Sequence, residues 1–132
     1  MKKIIINILM IILALVVIGG GVFFAIQHRE ERDYRFSYDP GEFFVTDIQN
    51  SNRLLKTDMI LAMADSREAD FYIEHNHRIR NTIIFVLRNK DEEELKNPSI
   101  EQILNKKIIR ELNQAFETED FQTVYFNEFV IQ

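Results

Sequence analysis

The sequence predicts an α+β chain: one N-terminal transmembrane helix, then a single small domain built in the order β-β-α-α-α-β. Three stretches carry that reading. Residues 4–26 hold no charge, and Asn7 is their one polar interruption. Residues 55–63 alternate in the way of a half-buried strand, and residues 100–116 place apolar side chains at the three- and four-residue spacing of an amphipathic helix.

The apolar run comes first. Its uninterrupted part, with Ile8 and Ile26 at the ends, is roughly 28 Å long as a helix at about 1.5 Å per residue, against a hydrocarbon core of about 30 Å. Lys2 and Lys3 ahead of it have the look of a secretory leader, with Gly19 and Gly21 as small residues before a cleavage point. The apolar region of a cleaved signal is only about 7 to 15 residues long, however, so a retained anchor is expected. Basic residues on the two sides nearly balance, Lys2 and Lys3 against Arg29, Arg32 and Arg35. The very short basic leader places the N-terminus in the cytoplasm and residues 27–132 outside it. Gly19, Gly20, Gly21 and Ala25 form a small-residue surface that either pairs with another helix or reflects ordinary glycine tolerance in membranes.

The remaining residues make one compact domain and are too few for two. The whole chain has 16 Lys and Arg against 21 Asp and Glu, and every acidic residue lies after residue 26. Such a balance argues against nucleic acid and leaves no basic patch for lipid headgroups, so proteins are the expected partners. With no cysteine, a core rich in Phe and Tyr must hold the domain together.

A charged stalk is expected over 27–41, where Arg29 with Asp33 and Glu31 with Arg35 stand one helical turn apart. It closes on the turn signal Asp39-Pro40-Gly41. The domain proper, 42–132, opens with an aromatic and β-branched strand over 42–48, a polar turn over 49–52 and the alternating strand over 55–63, the two strands forming a hairpin. Residues 82–87 alone suit a buried strand. Tyr72, Asn76, Ile79, Ile83, Val86 and Leu87 nonetheless keep helical spacing, so one long helix is expected over 66–88. Asp91 with Glu94 reads as a capping box for a short helix carrying Leu95, which Pro98 ends; Ser99 with Gln102 repeats the signal before the third helix. Ile100, Ile103, Leu104, Ile108, Leu112, Ala115 and Phe116 form the amphipathic stripe of that helix. A last strand is expected over 122–131.

The chemistry-bearing residues are few. Past residue 26, Gly41 is the only glycine, which excludes a phosphate-cradling loop or dinucleotide fingerprint. No thiol exists, and no serine sits in a nucleophile elbow. His75 and His77 lie two apart, on different faces of a helix, so they do not converge on one metal. The acidic run 91–94 is explained by capping and the helix dipole. The expectation is therefore a protein with no catalytic site, cofactor or metal.

Val124, Tyr125, Phe126, Asn127, Glu128, Phe129, Val130, Ile131 and Gln132 resemble the C-terminal signature of the flagellar basal body-associated FliL family. Ile79, Arg80, Asn81, Thr82, Ile83 and Ile84 resemble its Ile-Arg-Asp-x-Ile-Ile helix, and residues 43–48 with 54–56 resemble its first two strands. Asn81, Asn127, Thr46 and Asp47 depart from the family's usual residues. The resemblance implies a single-pass inner-membrane protein beside the flagellar motor, with a periplasmic domain of the stomatin (SPFH) type. It also implies a ring of copies that supports the engagement and torque of stator proteins of the MotA/MotB type. A general stomatin-like scaffold or chaperone outside the flagellum, and an anchored enzyme or solute-binding domain, are the alternatives.

The last strand is apolar on both faces. Strict alternation puts Val124, Phe126 and Val130 on one side and Tyr125, Phe129 and Ile131 on the other. Helices cover one face of so small a sheet, so the second face needs a neighbouring copy or a stator partner. Arg80, Tyr125, Phe126, Phe129 and Ile131 are the expected contact residues. Phe126 and Phe129 are expected to differ, one in the core and one at the interface.

Overall fold

A computed structural model describes Met10, residues 36–65 and residues 67–132. The anchor between Ile8 and Ile26, Met10 apart, and residues 27–35 of the stalk lie outside these. The chain divides into two compact units, Met1–Asp33 and Tyr34–Gln132, and the second holds the fold. The expected plan is corrected in two respects. Among the described residues no helix is long and apolar enough to cross a membrane. The domain also runs β-β-β-α-α-α-α-β rather than β-β-α-α-α-β.

Strands β1 (Phe36–Tyr38), β2 (Phe44–Asp47) and β3 (Leu54–Met63) come first. Helices α1 (Ala69–Glu74), α2 (Asn76–Leu87), α3 (Glu92–Leu95) and α4 (Ile100–Phe116) follow, and β4 (Phe121–Ile131) closes the chain. β3 is the axis of an antiparallel sheet. β4 runs along one of its edges, with Leu55 opposite Ile131 and Leu61 opposite Val124; β1 and β2 share the other, with Tyr38 opposite Leu61 and Phe44 opposite Thr57. β1 is the strand that pattern reading missed, because three residues are too few to show a period.

The alternation in β3 holds. Leu55, Thr57, Met59, Leu61 and Met63 are all buried, facing the helices. Against them pack Ile79, Ile83, Val86 and Leu87 of α2 and Ile100, Leu104, Ile108 and Leu112 of α4, with Tyr72 and Leu95 at the sides. Removing such a side chain from water contributes about 1.5–3 kcal/mol.

The expected long helix breaks at His75, which lies between α1 and α2 at φ −99° and ψ 20°. Immediately after the break, Asn76 donates to the Pro40 carbonyl at 3.1 Å and accepts from the Tyr38 hydroxyl at 2.9 Å. These partners belong to β1 and its turn, so helical spacing alone gave no sign of the break. The capping box at Asp91 is present: Glu94 N donates to Asp91 Oδ1 at 2.8 Å, and Asp91 N to Glu94 Oε2 at 3.3 Å. Ser99 forms no such box. Asn97 takes over there, its Oδ1 accepting from Ser99 N at 2.9 Å.

β4 does not alternate strictly. Register shifts between Asp58 and Met59 and between Ala62 and Met63 make Asn127 and Gln122 the extra residues of two β-bulges. Each bulge resets the period of two. Phe121, Val124, Phe126, Phe129 and Ile131 therefore stand opposite buried positions of β3, while Tyr125, Glu128 and Val130 stand opposite Ile60, Asp58 and Lys56. On its far edge β4 meets α4. Asn113 donates to the Phe121 carbonyl at 2.9 Å and accepts from Phe121 N at 3.1 Å, and Asn105 accepts from Val124 N at 3.0 Å. Side-chain amides thus satisfy backbone groups that a bare edge strand would offer to other chains.

Candidate functional site

The helices cover one face of the sheet, and the other is accessible. Phe43 and Val45 beside β3, Leu54 on it, and Tyr125 and Val130 on β4 are between 40% and 53% exposed. Register brings them together: Val45, Lys56 and Val130 lie in one row across three strands. Lys56 crosses this surface. Its Nζ is 3.7 Å from the centre of the Phe43 ring and 3.2 Å from Glu128 Oε1. Asn127 donates to Asp58 Oδ2 at 3.1 Å, so the extra residue of one bulge ties β4 to β3. The result is an apolar surface crossed by neutralised charge, the composition that a protein interface buries at least cost.

The expected split of β4 is corrected here. Phe126 and Phe129 lie on the same, helix-facing side, their rings 5.8 Å apart and edge to face, and with Ile131 they pack against the core. Of the expected β4 contacts only Tyr125 stands on the accessible face. Phe43, Val45, Leu54 and Val130 belong to that face and were missed. Residues 43–47 carry no apolar alternation that marks the faces, since the structure buries Phe44 and Thr46 and exposes Phe43, Val45 and Asp47.

Arg80 has an intramolecular role. From α2 its Nη1 donates to the carbonyls of Pro40 at 3.0 Å and Glu42 at 2.8 Å, its Nη2 to that of Phe43 at 3.3 Å, and the guanidinium lies over the Phe44 ring at 4.3 Å. The loop it grips contains Gly41 at φ +96°, a conformation that side chains disfavour. Arg80 thus holds the loop between β1 and β2 against α2 and keeps Phe43 and Val45 in place on the sheet.

His75 and His77 form no shared site. Their ring centres are 6.3 Å apart, and His75 Nδ1 lies 2.8 Å from the Phe71 carbonyl. Among the described residues no group of three or more His, Asp and Glu side chains is placed to hold a metal ion. Among the described residues the one strongly displaced proton belongs to Tyr72. Burial and its 2.8 Å bond to Asp120 push the phenol up to about 12.

An antiparallel sheet backed by helices, with an aromatic and aliphatic stripe accessible in front, defines a small domain with a surface suited to contact. Residues 37–132 match the family described as flagellar basal body-associated protein FliL. The chain belongs to that family. No curated protein matches it.

Proposed function

We propose that the protein is a non-enzymatic accessory of the flagellar motor. Its domain works at the periplasmic face of the inner membrane, where copies assemble and associate with stator units of the MotA/MotB type, supporting their engagement and torque. Family membership supports the place at the basal body. The observation that carries the contact role is the accessible sheet face of Phe43, Val45, Leu54, Tyr125 and Val130. Aromatic anchors on a flat apolar strip are where contact energy concentrates. The test is co-purification of stator proteins with the full-length chain, with and without Tyr125→Glu. Loss of the stator proteins from a folded variant, together with weaker swimming, is expected. Stator recovery and swimming both unchanged in that variant would remove the sheet face from the reading.

A further inference from the structure

The helix layer carries a second surface, on the opposite side of the sheet. Residues 75–90, which include α2, hold His75, His77, Arg78, Arg80, Arg88 and Lys90 and no Asp or Glu, in a chain with 21 acidic residues against 16 basic. Arg80 is engaged by the β1–β2 loop, and Lys90 pairs with Glu94 at 3.2 Å. Arg88 is exposed, and so is Arg78, although Arg78 also donates to the Ala115 carbonyl and lies over the Phe116 ring. Phe85, two turns along from Arg78, is 73% exposed, more than any other large apolar side chain described. These side chains form one wall of a groove of about 560 Å³ between α2 and α4; on the other wall stand Glu117 and Glu111, the latter paired with Arg110 at 2.9 Å.

We propose that this groove docks an amphipathic helix of a partner protein. The partner sets an apolar side chain against Phe85, acidic residues along α2 and basic residues along α4. Charge fixes the occupant and its orientation, since the α2 wall is basic and the α4 wall acidic. An anionic membrane suits the site less well, because Glu111 and Glu117 border the same opening and would face the headgroups. The concave wall with one exposed aromatic anchor matches the way a helix is held in a groove. This surface is independent of the sheet face, and its use does not require that reading.

The probe is a stapled helical peptide of about 14 residues, long enough to hold its helix. It carries Leu at the docking positions, Glu along one flank and Lys along the other, and is titrated by fluorescence anisotropy into the full-length chain. Phe85→Ser is expected to weaken saturable binding at least about tenfold, the loss typical of an aromatic anchor. Arg88→Glu is expected to reverse the preference, so that a peptide with Glu and Lys exchanged binds more tightly than the original. Circular dichroism confirms that each variant folds; should Phe85→Ser fail, Arg88→Glu alone decides. Absence of saturable binding, or equal binding by folded variants and the native chain, overturns the proposal. Binding to vesicles of anionic phospholipid through Phe85 and Arg88, with the peptide unbound, overturns it in favour of a membrane surface.

Discussion

Arg80 shows how much one side chain contributes when its partners are backbone. It meets three carbonyls of the β1–β2 loop, about 40 positions earlier in the chain, and the ring of Phe44 at the start of β2. Arg80→Ala is expected to lower stability by about 1–3 kcal/mol in urea denaturation, because several charge-assisted bonds disappear together. Arg80→Lys should restore only part of this, since a single ammonium lacks the planar fork that reaches several carbonyls while stacking on Phe44. Tyr72 gives a prediction in pH. Its phenol rises from the ordinary 10.0 to about 12 because burial and Asp120 favour the neutral form. A raised folded-state value means that the stabilisation is complete below about pH 10 and is lost as pH climbs through about 12. Urea titrations between these limits should show the native domain losing stability more steeply than Tyr72→Phe. Neither role was legible in sequence, where Arg80 and Tyr72 read as helix residues and their partners lie in other elements.

Among the elements, β4 departs furthest from its sequence pattern. Strict alternation sends Phe126 and Phe129 to opposite faces, but the bulge at Asn127 brings them to the same one. Phe126→Glu and Phe129→Glu are therefore both expected to destabilise the domain, by about 2–4 kcal/mol, because each pushes a charge toward the core. Tyr125→Glu and Val130→Glu should leave thermal unfolding within about 0.5 kcal/mol of the native domain, as substitutions on an open surface do. Thermal melts of the four variants check the pairing. If Phe126→Glu alone unfolds, the bulge is misplaced. By contrast, the buried face of β3 follows its period, and so does the centre of the α4 stripe at Ile100, Leu104, Ile108 and Leu112, whereas Ile103 of that stripe is exposed and Ala115 and Phe116 are half-buried. α4 also shelters part of the β4 edge through Asn105 and Asn113, polar positions that the apolar stripe does not mark.

At the scale of the whole molecule, the core and the accessible apolar strip lie on different faces of the sheet. The helix-facing side of the sheet holds the core, and the accessible side carries Phe43, Val45, Leu54, Tyr125 and Val130. Under the proposed contact role, substitutions on the accessible side are expected to weaken swimming while circular dichroism remains native. Replacing His75 and His77 together with Ala should leave swimming intact, since those rings share no site. A swimming defect in a folded double variant would restore a chemical role to the pair. Of the accessible face, Tyr125 was already singled out in the sequence, within the aromatic run of the last strand. Phe43, Val45 and Leu54 joined it only when β2 and β3 were placed side by side.

What the sequence determined by itself is whatever local periodicity and residue chemistry encode. That includes the buried face of β3, the α4 stripe apart from Ile103, the capping box at Asp91 and, through residues 124–132 and 79–84, the family. Tertiary structure decided what depends on partners far along the chain. It paired β1 with the end of β3, broke the helix at His75 as Asn76 met Tyr38 and Pro40, turned Arg80 inward to the loop, and used two bulges to set the faces of β4. The physical reason is common to all four. A period shows which side chains share a face, but hydrogen bonds and register between distant segments determine which face is covered and where the period is interrupted.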